Sequence, residues 1–167
     1  MDLQPCPGCG VQGFEWEEHL TEERPDAVVA IYRGACLECG TGREFEFELI
    51  AGATAELSFG GPQPSRIIDP GQFFALAREA AALVPASPAQ CAPAELPDAR
   101  EAIAMAVSAI DEVAKFVPAD GDSIPSDAFT SEVGRAVYAA DPMQFRRARI
   151  DAVSAAYRDV HAAYQAV

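Results

Sequence analysis

The sequence predicts an α+β protein: a three-stranded antiparallel sheet over residues 1–58, then a bundle of three to four α-helices over residues 69–167. Three observations predict it. Residues 43–50 alternate apolar and acidic with period two, which marks a half-buried strand. Two CxxC pairs, thirty positions apart, bracket strand-like sequence. From Asp69 onward, Asp-Pro start signals precede apolar stripes of helical spacing.

The first strand is expected over Phe14–Leu20 (FEWEEHL), with Phe14, Trp16 and Glu18 on one face. The second is Ala27–Arg33 (AVVAIYR), β-branched and apolar. The third is Arg43–Ile50, with Phe45, Phe47 and Leu49 facing one way and Glu44, Glu46 and Glu48 the other. Residues 59–68 (FGGPQPSRII) read as a Gly- and Pro-rich linker.

Asp69-Pro70 opens the first helix, Asp as cap and Pro at the first helical position. Its stripe is Phe73, Leu76, Ala77, Ala80, Leu83 and Val84. Residues 85–97 hold four prolines and read as a loop. Asp98 to Glu101 resembles a capping box for a second helix running to Val117, with Ile103, Ala106, Ile110, Val113 and Val117 inward. Ser126 is the expected cap of a third, short helix with Phe129, Val133, Val137 and Ala140 inward. Asp141-Pro142 repeats the start signal, and the last stripe is Ile150, Val153, Tyr157, Val160, Tyr164 and Val167. That spacing suits a helix inside a small bundle, or a short intermolecular helix pair.

Composition narrows the function. Half of the 167 residues are apolar, enough to build a core. The formal charge is −14, and residues 1–60 carry twelve acids against three arginines, a balance of −9. Nucleic-acid binding depends on neutralising phosphates with Lys and Arg, so this chain repels a phosphate backbone and an anionic membrane surface. A basic partner is attracted; alternatively, the charge serves only to keep the protein dispersed. The N-terminal decapeptide MDLQPCPGCG has neither the basic nor the apolar region of a signal peptide, and no apolar run approaches the about 20 residues that span a bilayer. Cysteines paired as CxxC fit metal ligands in a reducing compartment, which places the expected location in the cytoplasm, of bacterial type.

The candidate site is Cys6-Pro-Gly-Cys9-Gly10 with Cys36-Leu-Glu-Cys39-Gly40. One CxxC turn offers two sulfurs to one metal, and two turns held close complete a tetrahedral shell. The glycine after each second cysteine allows the positive φ with which the turn leaves the metal. Four thiolates close the coordination of Zn2+ and leave no position for a catalytic water, so Cys6, Cys9, Cys36 and Cys39 are expected to hold one structural zinc. A sheet of under sixty residues needs such a staple. Iron in a rubredoxin-like site uses the same ligands. A single CxxC also serves redox chemistry, but the doubled motif with trailing glycines argues against that here.

These motifs resemble the zinc-ribbon class and, more narrowly, are similar to bacterial CpXC-type domains, which have an N-terminal CPxCG, a strand-rich spacer, a second CPxCG and an aromatic strand. Cys6, Pro7, Cys9, Gly10, Cys36, Cys39 and Gly40 match, and Phe45 and Phe47 fit the following strand. Leu37 departs, standing where the family has proline. The resemblance covers about the first third and implies zinc binding, with no settled activity.

Other residues carry less. Cys91 is a lone thiol in a Pro-rich segment. His19, near Glu15, Glu17 and Glu18, lacks any HExxH pattern and reads as part of a solvated strand face; His161 reads as a surface histidine. Arg146, Arg147 and Arg149 form the one basic cluster and are expected to pair with acids such as Asp141 and Asp151. No phosphate loop, nucleophile elbow or dinucleotide fingerprint occurs. The expected role is therefore non-enzymatic: a zinc-stabilised protein-interaction module, such as a bacterial immunity or accessory protein binding a basic partner. The alternatives are a transcription-type ribbon contacting polymerase or nucleic acid, an iron electron carrier, and a hydrolase with its site between ribbon and bundle.

Overall fold

A computed structural model describes residues 4–49 and 59–167, and the chain divides into two compact units, Met1–Glu56 and Leu57–Val167. In the first unit β1 (Glu15–Arg24), β2 (Ala27–Ala35) and β3 (Gly42–Leu49) form an antiparallel meander in the order β1-β2-β3. The end of the predicted third strand, Ile50, lies outside the described residues.

β1 runs four residues past Leu20 and turns through Pro25-Asp26 into β2. Its pairing with β2 shifts between Trp16 and Glu18, a bulge that leaves Glu17 unpaired. An extra residue in one strand reverses the alternation beyond it. Trp16 (opposite Gly34) and His19 (opposite Tyr32) therefore share a face, and Glu18 (opposite Arg33) points the other way. The predicted grouping of Trp16 with Glu18 is thus wrong; His19 is exposed on its strand face, as expected, and its ring stacks on Tyr32 at 4.4 Å.

The second unit contains α1 (Pro70–Ala82), α2 (Leu96–Lys115), α3 (Glu132–Ala140) and α4 (Arg147–Gln165), with 3-10 turns at Pro88–Gln90, Ser126–Ala128 and Pro142–Phe145. α1 packs against α2 and α3, and α2 against α4. One core cluster joins Phe73, Phe74, Ile110, Phe129, Phe145 and Ile150; a second joins Ala80, Ile103, Ala106 and Tyr164. Phe59 belongs to this unit, its ring 5.4 Å from that of Phe73, and Lys115 Nζ, ion-paired with the buried Glu112, donates to the Gly61 carbonyl at 2.6 Å.

Several helix boundaries differ from the prediction. α2 begins at Leu96, with Pro97 in its first turn, so Asp98 lies inside the helix and caps nothing; an acid there still favours the helix N-terminus. Ser126 heads only a 3-10 turn, and α3 is capped by Ser131, whose Oγ accepts from Gly134 N at 2.8 Å. That shift leaves Val133 exposed and buries Gly134. Asp141 caps the 3-10 turn at Pro142–Phe145 instead of α4, and the turn drives Phe145 fully into the core. Leu83 and Val167 fall beyond the last turns of their helices and are exposed.

Asp69 joins two helices. Its buried carboxylate accepts from Gly71 N at 2.9 Å and Gln72 N at 3.0 Å, while the Gln72 side chain accepts from Asp69 N at 3.1 Å, completing a capping box. Its second oxygen accepts from Ser131 N at 2.6 Å, at the head of α3. A Cβ at Gly134 would overlap this carboxylate, and one at Gly71 would meet Gly134 Cα at 2.5 Å, so the two glycines set how closely α1 and α3 approach.

Candidate metal centre

The four predicted ligands converge, and their Sγ atoms all lie within 4.8 Å of one another. Two near-identical turns position them. In the first, Cys6 N donates to Val11 O at 2.9 Å and Gly10 N to Cys6 O at 2.8 Å; in the second, Cys36 N donates to Thr41 O at 3.0 Å and Gly40 N to Cys36 O at 2.9 Å. Gly10 and Gly40 both have positive φ, at 74° and 69°, the conformation their position after the second cysteine anticipates. The second turn leads into β3 immediately after β2, so the sheet fixes its place, and Cys6 and Cys36 are buried while Cys9 and Cys39 are exposed.

The spacing fits a tetrahedral ion. Zn–S bonds of about 2.3 Å place sulfurs about 3.8 Å apart. Cys6 Sγ lies 3.5 Å from Cys39 Sγ, and Cys9 Sγ 3.6 Å from Cys36 Sγ, so each close pair combines one sulfur from each turn. None of the five cysteines is in a disulfide. All-thiolate tetrahedral donor sets select zinc or iron.

Local donors act on the individual sulfurs differently. Gly8 N, 3.4 Å from Cys6 Sγ, is the main cause that draws that thiol down to about 6, against the opposing effect of burial. The Thr41 hydroxyl, 3.1 Å from Cys39 Sγ, lowers the Cys39 thiol. Cys9 behaves oppositely. The Val11 N–H favours its thiolate, but its cysteine neighbours and desolvation prevail and push it up to about 12. Crowded thiols divide their protons in this way: some ionise and the others stay protonated to donate to them.

The other candidates do not join the centre. Cys91 packs in the second unit beside the core of Ile103 and Tyr164. His161 lies 3.2 Å from Gln165 Nε2. The arginine cluster does not pair as predicted: among the described residues Arg147 donates to the carbonyls of Pro118 and Gly121, and Asp141 serves as a cap. In the second unit an arginine-carboxylate pair forms instead between Arg158 and Asp111, with Arg158 Nη2 donating to both carboxylate oxygens at 2.7 and 2.8 Å.

Sequence reasoning missed the aromatic face of the sheet. Trp16, His19 and Tyr32 meet on it, with Phe45 and Phe47 on β3. Alternation on β3 signalled half of this surface; the bulge at Glu17 concealed the rest. Arg43 lies over the Phe45 and Phe14 rings, 4.8 and 5.6 Å from their centroids.

The sheet and its cysteine cluster are consistent with a zinc-ribbon-like site: a small antiparallel meander with four cysteines compatible with a metal ion. No protein-family model matches the chain, and neither a curated protein nor a solved structure matches it with significance. Among the described residues no helix is long and apolar enough to cross a membrane.

Proposed function

We propose that this protein is a non-enzymatic interaction module whose sheet is stapled by one structural zinc on Cys6, Cys9, Cys36 and Cys39, and whose acidic surface receives a basic protein. The convergence of four sulfurs within 4.8 Å carries the reading. A closed four-thiolate shell offers no open position for substrate, so the ion acts on folding and not on chemistry. The similarity of the motifs to CpXC-type domains supports zinc, and an immunity or accessory protein masking a basic partner is the concrete form of the role. The charge distribution supports the partner class. Arg24 is engaged by Glu22 and Glu46, and Arg33 by Glu18 and Glu44. Among the described residues of this unit, Glu15, Glu17, Glu23, Asp26, Glu38 and Glu48 remain outside any ion pair, which favours cations over phosphates.

Metal analysis and the absorption spectrum of the purified protein test the first half: one zinc per chain and no visible colour are expected. A stoichiometric, coloured iron centre would replace this reading with electron transfer. A pulldown at low salt tests the second half, with a basic protein expected and recovery of nucleic acid contradicting it.

A further inference from the structure

The two faces of the sheet differ in chemistry. On one, the two arginines of that face are engaged by carboxylates: Arg24 bridges to Glu46, and Arg33 to Glu18 and Glu44. The other is aromatic. Trp16, 52% exposed, stands perpendicular to Tyr32 at 5.6 Å, Phe47 meets Tyr32 edge to face at 5.8 Å, and His19 stacks on Tyr32 at 4.4 Å, which forms a corner of rings with Trp16 half exposed.

We propose that this corner of Trp16, Tyr32 and Phe47 is the docking surface for an arginine- or lysine-bearing segment of a partner protein. The inference rests on the reading above and names the surface that would carry it. Arg43 supplies an internal precedent. Its guanidinium lies on the same aromatic face, over Phe45 and Phe14, and its buried Nη1 makes no hydrogen bond. This side chain thus rests on rings while carboxylates elsewhere in the unit stay unpaired. The face of an aromatic ring carries negative potential, and a cation over it within about 6 Å is attracted. The half-exposed Trp16, braced by Tyr32, is a neighbouring host, and Trp is the strongest of the aromatic hosts.

Charge selects the occupant. Residues 4–49 carry ten acids against three arginines; on the aromatic face itself Glu23, opposite Val28, is balanced by Arg43, opposite Gly34, so the negative field comes from the unit as a whole. The net field concentrates cations at the sheet and speeds their arrival, while the rings give the contact its position. Nucleic acids also stack on aromatic rings, but their phosphates meet the same field as repulsion. A second copy of the chain brings the same negative charge.

The test titrates the intact zinc-loaded protein with a synthetic Arg-Ser repeat peptide at low salt, followed by calorimetry and by the emission of Trp16, the single tryptophan of the chain. A Glu-Ser repeat and a single-stranded oligonucleotide serve as comparisons. Binding of the Arg-Ser peptide with a change in Trp16 emission is expected. W16A should weaken binding by at least about threefold, and W16F should recover most of the loss. If the peptide binds W16A as well as wild type but loses affinity with E44Q/E46Q, the acidic face is the docking surface; the proposal falls and the basic-partner reading stands. If no basic peptide binds, both fall. Competition by the oligonucleotide, or self-association of the free protein that W16A abolishes, would also overturn the proposal.

Discussion

Replacing Gly134 with alanine should destabilise the helical unit although alanine is the better helix former, and the penalty should vanish when Asp69 is removed. The added methyl overlaps the Asp69 carboxylate, which must then leave three N–H donors: Gly71, Gln72 and Ser131. Losing an N-cap costs about 1 kcal/mol, and stranding the Ser131 N–H adds about 1–3 kcal/mol. Alanine returns about 1 kcal/mol through helix propensity. G134A should therefore cost about 1–3 kcal/mol, and D69A about 2–4 kcal/mol by the same loss. In the D69A background the loss has already occurred, so G134A should be neutral or stabilising by up to about 1 kcal/mol. The coupling in the double-mutant cycle is then about 2–4 kcal/mol. Denaturant unfolding followed by far-UV ellipticity measures it, with Trp16 emission tracking the sheet unit separately. A coupling below about 0.5 kcal/mol would refute the reasoning. G71A offers an internal control: its Cβ meets the backbone of Gly134, so D69A should not rescue it.

Chelation of the metal should shift Trp16 emission to the red as the sheet unfolds, while helical ellipticity persists because that unit has its own core. C36S should reproduce the effect without chelator, read by metal content and emission. Zinc loading should release fewer than four protons per ion, measured in weakly buffered solution: Cys9, held near 12, loses its proton to solvent as its thiolate binds the metal, whereas Cys6, held near 6, is already ionised at neutral pH. L37P should be tolerated and stabilise the sheet unit by about 0.4–1 kcal/mol, because the second turn repeats the hydrogen bonding of the first, which carries Pro7 at the matching place; chelator resistance checks it. F145A should cost about 3–5 kcal/mol in the helical unit, measured by denaturant midpoint, since Phe145 packs on Phe74, Phe129 and Tyr138.

The four-cysteine cluster was legible because its chemistry is local. A CxxC turn with a trailing glycine brings two sulfurs together whatever surrounds it, and the meander only has to bring the turns within reach. The helical stripes were legible for the same reason: Phe73, Ala77, Ile103, Ile110, Val113 and Ile150 follow a helical period and are buried. What escaped depended on partners distant in sequence. Asp69 was readable as the cap of α1, but its bond to Ser131, across 62 positions, was not. Phe145 sits in a 3-10 turn, where no helical period marks its direction. Glu17 bulges because β1 must register against β2, and nothing within FEWEEHL announces an extra residue.

That bulge shapes the surface proposed for docking. Without it, strict alternation from Trp16 would place Glu18 beside the indole and turn His19 to the opposite face. With it, Trp16 and His19 both flank Tyr32, and Glu18 moves across the sheet to meet Arg33. One inserted residue thus separates the rings from a carboxylate that would otherwise sit among them. It produces an aromatic face whose one arginine is held by rings, and an opposite face whose arginines are held by carboxylates. A metal staple at the four cysteines, as proposed, would let so small a sheet keep this separation: with folding supplied by the metal, Trp16 can remain half exposed instead of being buried in a core.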